Sequence, residues 1–361
     1  MQLTLIVPEL VWPEPDDRQT LDAVAAPGLS ALLARSRRTR RPPQSLEATL
    51  ADAFGQPAGA PYGAFRLLGE TLAAQLAVED ACWVCADPVH LRFHQERIIL
   101  ADSGSIGVEL AEAQALAGEL NRYFGDVGTF HVASADRWYL QLAGTTRLDE
   151  FDVPPLSAVA GRRVERQLPE TAQTGWLRKL LNEAQMVMHG HAVNAERQAS
   201  GRPPINSLWL WGAGALPPRG ESAQDGRFAN VFDGVWSAQP LALGLARAAC
   251  IPTHTVPRNL ESLLEHAAPD THHLVVLDNL LGPVHYEDGD AYAAALNTLE
   301  THWFAPLRKA LARGKVTRLR LEASTAYALL AWDSGRADQW KLWQRPQPLA
   351  ALAHDLAQGE R

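Results

Sequence analysis

Asn206-Ser-Leu-Trp-Leu-Trp-Gly-Ala-Gly-Ala-Leu-Pro217 is the stretch on which the reading of the fold turns. Ser207 to Trp211 is a short apolar run between Pro203-Pro204 and the glycines Gly212 and Gly214. The pattern predicts a buried central strand that empties into a glycine turn. In an open α/β sheet, such a turn at the carboxyl end of a strand is where ligands sit. Immediately upstream, Trp176 to Gly190 has the spacing of an amphipathic helix. The polar cluster His191, Asn194, Glu196 and Arg197 follows it.

Downstream, strands and helices alternate. A strand near Asn230 to Val235 precedes a helix over 241–249. Thr253 to Val256 is a short strand before a helix over 260–267. His273 to Asp278 is a strand before a helix over 291–312, and Thr317 to Leu321 is the last central strand. This alternation predicts a mostly parallel sheet. Upstream, Leu3 to Val7 is a buried strand, Thr20 to Ala34 is helical with a break at Pro27-Gly28, and Phe65 to Val78 is helical. Between them, Trp83 to His90, Arg97 to Leu100, Thr129 to Ser134 and Trp138 to Leu142 read as hairpins around a helix over 108–123. Arg147 to Ala172 is irregular and reads as a linker. The expected architecture is α/β: a core from residues 1–75 and 180–361, and a smaller inserted α+β domain over 76–179. The cleft between them is the expected ligand site.

The chain has 361 residues, 47% hydrophobic and 20% charged, with a net charge of -8. Such a balance argues against a general nucleic-acid binder. The one basic run, Arg35 to Arg41, reads as a solvated helix end and loop, with a phosphate-rich partner as the alternative. Cys82, Cys85 and Cys250 make no disulfide framework. The Cys82/Cys85 spacing suits a metal or redox pair, but no second pair accompanies it, so plain burial is expected. No apolar run approaches the roughly 20 residues of a membrane span. The start is too short and too little charged for a signal peptide, so the expected location is cytoplasmic.

At this point a resemblance emerges. His191-Ala-Val-Asn-Ala-Glu-Arg197, Gly201, Pro204-Ile-Asn206 and Trp211-Gly-Ala-Gly214 together resemble the archaeal-type cofactor-independent phosphoglycerate mutases of the alkaline phosphatase superfamily. Leu5-Ile-Val7, Leu67-Leu-Gly69, Ala242 to Arg247 and Val276-Leu-Asp278 resemble further pieces of that family, and the chain also resembles a degenerate bacterial branch of it named as regulatory or mutase-like. The resemblance implies an alkaline-phosphatase-like core. It also implies a serine nucleophile beside two divalent metals, because a hydroxyl needs activation and the phosphate charge needs stabilising.

Position by position, this chain departs from that implication. Pro8 stands where an Asp ligand is implied, with Glu9 one place on. Ala60 stands for the serine, Leu243 for a lysine, Glu322-Ala323 for an Asp-His pair, and Trp332 for a histidine. The expected function is therefore a catalytically inactive binding or regulatory protein, with no cofactor. The alternative is a metal-dependent mutase or phosphatase using manganese or zinc at a rearranged site built from Glu9, Asp278, His285 and Glu322. Asp278 and His285, with Glu287, Asp288 and Asp290 close by, are also a place for one metal; the other reading is a solvated acidic loop that caps the next helix through Asp288 or Asp290. His191, Asn194 and Arg197, with the turn at Gly212 and Gly214, are the candidate pocket for an anionic small molecule, since Arg suits bidentate anion binding. The competing reading is a polar network that pins the helix to the strand. Asp87-Pro-Val-His90 reads as a turn and strand start or as a second site. No nucleic-acid or membrane partner is expected.

Overall fold

The computed structural model describes residues 1–94, 97–144, 153–160, 175–217 and 232–359. Most of the linker reading at 147–172, and the start of the strand expected near Asn230, lie outside the described residues. In chain order the strands are β1 (Gln2–Ile6), β2 (Arg37–Arg41), β3 (Trp83–His94), β4 (Arg97–Asp102), β5 (Gly128–Val132), β6 (Trp138–Leu142), β7 (Ser207–Gly214), β8 (Gly234–Trp236), β9 (Thr253–His254), β10 (His272–Val276), β11 (Arg318–Ser324) and β12 (Leu329–Gly335).

Two compact units result, Met1–Thr49 with Ala229–Arg361, and Leu50–Phe228. The first unit holds a sheet in the order β2-β12-β11-β1-β10-β8-β9. From β11 to β9 the neighbours are parallel; β12 and β2 are antiparallel. Strand alternation sorts its side chains. Leu3, Leu5, Val7, Val275, Leu277, Leu319, Leu321 and Trp332 join one buried cluster with Leu29, Leu32, Leu296, Phe304 and Leu356 from the helices. Each such leucine, fully buried, contributes about 1.5–3 kcal/mol. The helix Pro27–Arg35 has no side-chain cap of its own. Buried Glu300 supplies one, accepting from Gly28 N at 2.7 Å and Leu29 N at 3.0 Å, where a carboxylate also meets the positive end of the helix dipole.

The second unit is built on an antiparallel sheet, β4-β3-β6-β5, with β7 also paired to β3. Trp83, Trp138 and Trp211 are among its fully buried side chains. The pairing of β7 corrects the sequence reading. Ser207 to Trp211 is a buried strand as expected, but it is no parallel strand of the alternating core. It runs antiparallel to β3, with Leu208 opposite Pro88 and Trp211 opposite Cys85. A strand covered on both faces shows the same apolar run in either kind of sheet, so periodicity could not assign it. His273 to Asp278, by contrast, holds all but the first residue of the parallel strand β10, between β1 and β8. Among the described residues no helix is long and apolar enough to cross a membrane.

Candidate functional site

In the first unit the carboxyl end of the parallel strands gathers the residues that the resemblance singles out. The ladder continues past β1: Val7 N donates to Glu322 O, Leu277 N to Ile6 O, and Glu9 N to Ser324 O, each at 2.8–2.9 Å. Pro8 thus sits at the strand end and brings no side-chain ligand. Glu9 is buried in the left-handed region at φ 55°, a conformation that costs a non-glycine residue of order 1 kcal/mol or more. Its carboxylate lies close enough to Tyr292 to add to the effect of burial in raising the phenol pKa.

The other acidic candidates have protein partners. Asp278 accepts from Gln239 Nε2 at 2.5 Å, and Glu322 from Arg320 Nε at 2.7 Å, while Arg320 also meets Asp333 at 3.1 Å. His285 ends the short helix Leu281–His285. Asp288 is the N-cap of the helix Gly289–Leu299, accepting from Ala291 N at 2.9 Å, which is the capping alternative. Ala323 and Trp332 are buried in the core, and the nearby Thr325 hydroxyl is tied to Ala328 O. Among the described residues no three His, Cys, Asp or Glu side chains form a group that could hold a metal ion. A pair of divalent ions wants several oxygen and nitrogen ligands each.

The second candidate, around the helix Ala192–Ala199, is brought together but as a pin. His191 caps that helix, its Nδ1 accepting from Val193 N at 3.2 Å. Asn194, buried, donates to Met188 O at 2.7 Å and Ile205 O at 2.9 Å and accepts from Ile205 N at 2.8 Å. Arg197 is 0% exposed. Its guanidinium donates to Pro203 O at 2.7 Å, Gly107 O at 3.3 Å, Glu112 at 2.6 Å, and Ile106 O. A small anion at Arg197 would have to displace Glu112 and reach a group with no surface.

Gly212 and Gly214 lie within β7, closely packed against the chain at Pro61 and Tyr62. A Cβ on Gly212, at φ 64°, would fall 2.8 Å from Tyr62 Cβ, and one on Gly214 would fall 2.6 Å from Pro61 Cβ. Gly63 answers from the other side: its Cβ would stand 3.0 Å from Gly212 O. The helix Tyr62–Gly69 thus presses its first turn onto β7 and β3, and Ala60, just ahead of it, is buried.

The sequence reading singled out Asp87, which lies inside β3 rather than at a turn, but missed its partner. Arg66, on that helix, forms a bidentate pair with Asp87 of β3 at 2.8 and 2.6 Å. Trp211 Nε1 also donates to Asp87 at 2.8 Å, and the guanidinium lies over the rings of Tyr139 and Trp211 at 4.7 and 5.0 Å. Tyr139 donates to Glu70 at 3.0 Å, which Arg137 meets at 2.6 Å. Burial first, then the Glu70 and Asp87 carboxylates against the pull of Arg66, hold the Tyr139 phenol well above its ordinary range. The signal was present in Asp87, a charge inside an apolar strand, but its partner is 21 residues away.

The α/β fold, with its larger, mostly parallel sheet and its separate antiparallel sheet, is shared with a solved structure. The PH0037 protein of Pyrococcus horikoshii superposes over 99% of this chain and 95% of its own, with a TM-score of 0.54 and 14% identity. In sequence, the chain is 27% identical over 207 residues to 2,3-bisphosphoglycerate-independent phosphoglycerate mutase 2 of Methanothermobacter thermautotrophicus, covering 56% of this chain and 48% of the relative. It is 23% identical over 212 residues to the corresponding mutase of Methanosarcina mazei, covering 56% and 51%. The chain thus spans about half the length of the curated relatives it matches. No family model matches it.

Proposed function

We propose that this chain is a relative of the cofactor-independent phosphoglycerate mutases that does not turn over phosphoglycerate, and that it works as a binding or regulatory protein. The observation that carries the reading is the carboxyl edge of the first unit's sheet. Phosphoryl transfer through a serine needs a hydroxyl, something to activate it, and fixed positive charge for the phosphate oxygens. That edge offers Pro8 in place of a ligand, and Ala323 and Trp332 are packed into the core. Its carboxylates Glu322 and Asp278 are engaged by Arg320 and Gln239.

A coupled mutase assay with added manganese, run beside elemental analysis of the purified protein, tests the proposal. Turnover at buffer background and substoichiometric manganese or zinc are expected. Robust turnover with a bound metal pair would replace the reading with a metal-dependent mutase working from Glu9, Asp278, His285 and Glu322.

A further inference from the structure

The basic run read from sequence as a helix end and loop is in fact an edge strand. β2 pairs with β12, Arg37 opposite Asp333 and Arg41 opposite Leu329, and with no other strand among the described residues. All five of its residues are exposed. An edge strand presents unpaired N–H and C=O groups, and charged side chains ordinarily guard it against stray pairing.

The surroundings go beyond a guard. β12 leads into the turn Ala337–Trp340, and Arg35 Nη1 donates to Gln339 O at 3.1 Å, which ties that turn to the entry of β2. Trp340, Leu342 and Trp343, in and just after the turn, are 65%, 67% and 76% exposed. Large apolar side chains grouped on a surface mark an interaction site. Residues 35–41 and 336–345 together carry eight basic residues and one acidic residue, within a chain of net charge -8. Positive charge, exposed tryptophan and an open strand edge therefore lie on two segments of the first unit that the Arg35–Gln339 contact joins.

From this we infer that this surface docks an extended, acidic segment of another protein. The segment adds as a strand along β2 and sets apolar side chains against Trp340, Leu342 and Trp343. A second copy of this chain is the wrong partner, because pairing β2 with β2 would set arginines against arginines, and like charges across a strand pair are destabilising. Single-stranded nucleic acid or an anionic membrane would use the charge and the tryptophans but leave the open ladder unused. Strand addition uses all three, backbone bonds for affinity and side chains for specificity. The inference is independent of whether the chain turns over phosphoglycerate.

The test uses the full chain and a short fluorescent peptide of alternating Glu and Ile, followed by anisotropy. Its comparators are the same peptide with Lys for Glu, a thymidine oligonucleotide, and phosphatidylglycerol-containing vesicles. Binding selective for the acidic peptide is expected, weakening with salt as exposed charges are screened. The double variant Arg37→Glu/Arg38→Glu is expected to weaken it by about tenfold or more. Trp343→Ala, which leaves the charge intact, is expected to weaken it by about threefold to tenfold. Amide exchange in β2 should slow when the peptide is bound, which charge attraction alone would not produce. No binding, equal binding of the Lys peptide, preference for the oligonucleotide or the vesicles, or unchanged exchange in β2 would each overturn the inference.

Discussion

The buried polar groups of the second unit and the acidic residues at the sheet edge of the first are made of the same residue types, yet they are held differently. Arg66 and Asp87 are sealed from solvent, and Asp87 receives both Arg66 nitrogens and the Trp211 indole. Arg197 is equally sealed, with Glu112 shared between it and Arg202. At the edge of the first unit, Glu322 is engaged by an Arg320 side chain that is 41% exposed. The difference teaches that a polar cluster read from sequence is functional or structural according to how completely the fold has already satisfied it. A sealed group is committed to the fold, and its loss is felt as instability.

The largest expected effect breaks the comparison at its strongest point. Replacing Arg66 by Ala leaves Asp87 buried without its cation, and breaking one side of such a pair costs about 3–5 kcal/mol. Urea unfolding of the full chain, followed by tryptophan fluorescence, measures it. A loss under about 1 kcal/mol would place Arg66 among the loosely held groups instead, since that is the range of exposed pairs.

A smaller effect sharpens the contrast. Arg197→Ala is expected to lose about 2–3 kcal/mol, because Glu112 keeps Arg202 but three backbone carbonyls lose a donor. Glu322→Gln, which keeps an acceptor for Arg320, is expected to lose about 1 kcal/mol or less. Equal losses in the same urea assay would erase the distinction between the two regions. A stable Arg197→Ala protein would return that residue to the role of a ligand site.

Much of the fold was legible in the sequence. β1, β10 and β11 follow from short apolar runs separated by helical spacing, and the hairpin β5–β6 from its Ala135-Asp136 turn. Three features were not legible, each for a physical reason. β7 was misassigned because a doubly covered antiparallel strand has no alternation to betray it. β2 was missed because five exposed residues, four of them arginine, carry no burial pattern, and only pairing with β12 makes them a strand. In the candidate pocket the long-range partners were not legible. Arg197 meets Glu112 across 85 positions of sequence, and such a partner decides whether a guanidinium is available to a ligand.

The smallest expected effect concerns acid, and it asks whether the first unit also holds a sealed group. His273 is buried on β10. Its Nδ1 accepts from Trp236 Nε1 at 3.3 Å, and its Nε2 faces the Thr271 hydroxyl at 2.8 Å. That hydroxyl donates its own proton to Ala268 O, so Nε2 is the donor and the ring is neutral. Burial, followed by the charges of His254 and His272, lowers its pKa below 6.5, against the opposing pull of Asp233 and a hydrogen bond with the Gly234 backbone. A second proton would also set an Nδ1 donor against the indole donor. A base with a lowered folded pKa contributes stability that is complete above its unfolded pKa and is lost as pH falls through the folded value. The urea midpoint should therefore fall as pH drops below about 6.5. His90 and His131 of the second unit, lowered chiefly by burial, act in the same direction. His273→Gln, which keeps an acceptor but cannot titrate, separates them: its acid loss should be shallower than that of the unmodified chain. An unchanged slope would assign the acid sensitivity to groups other than His273, His90 and His131 among them.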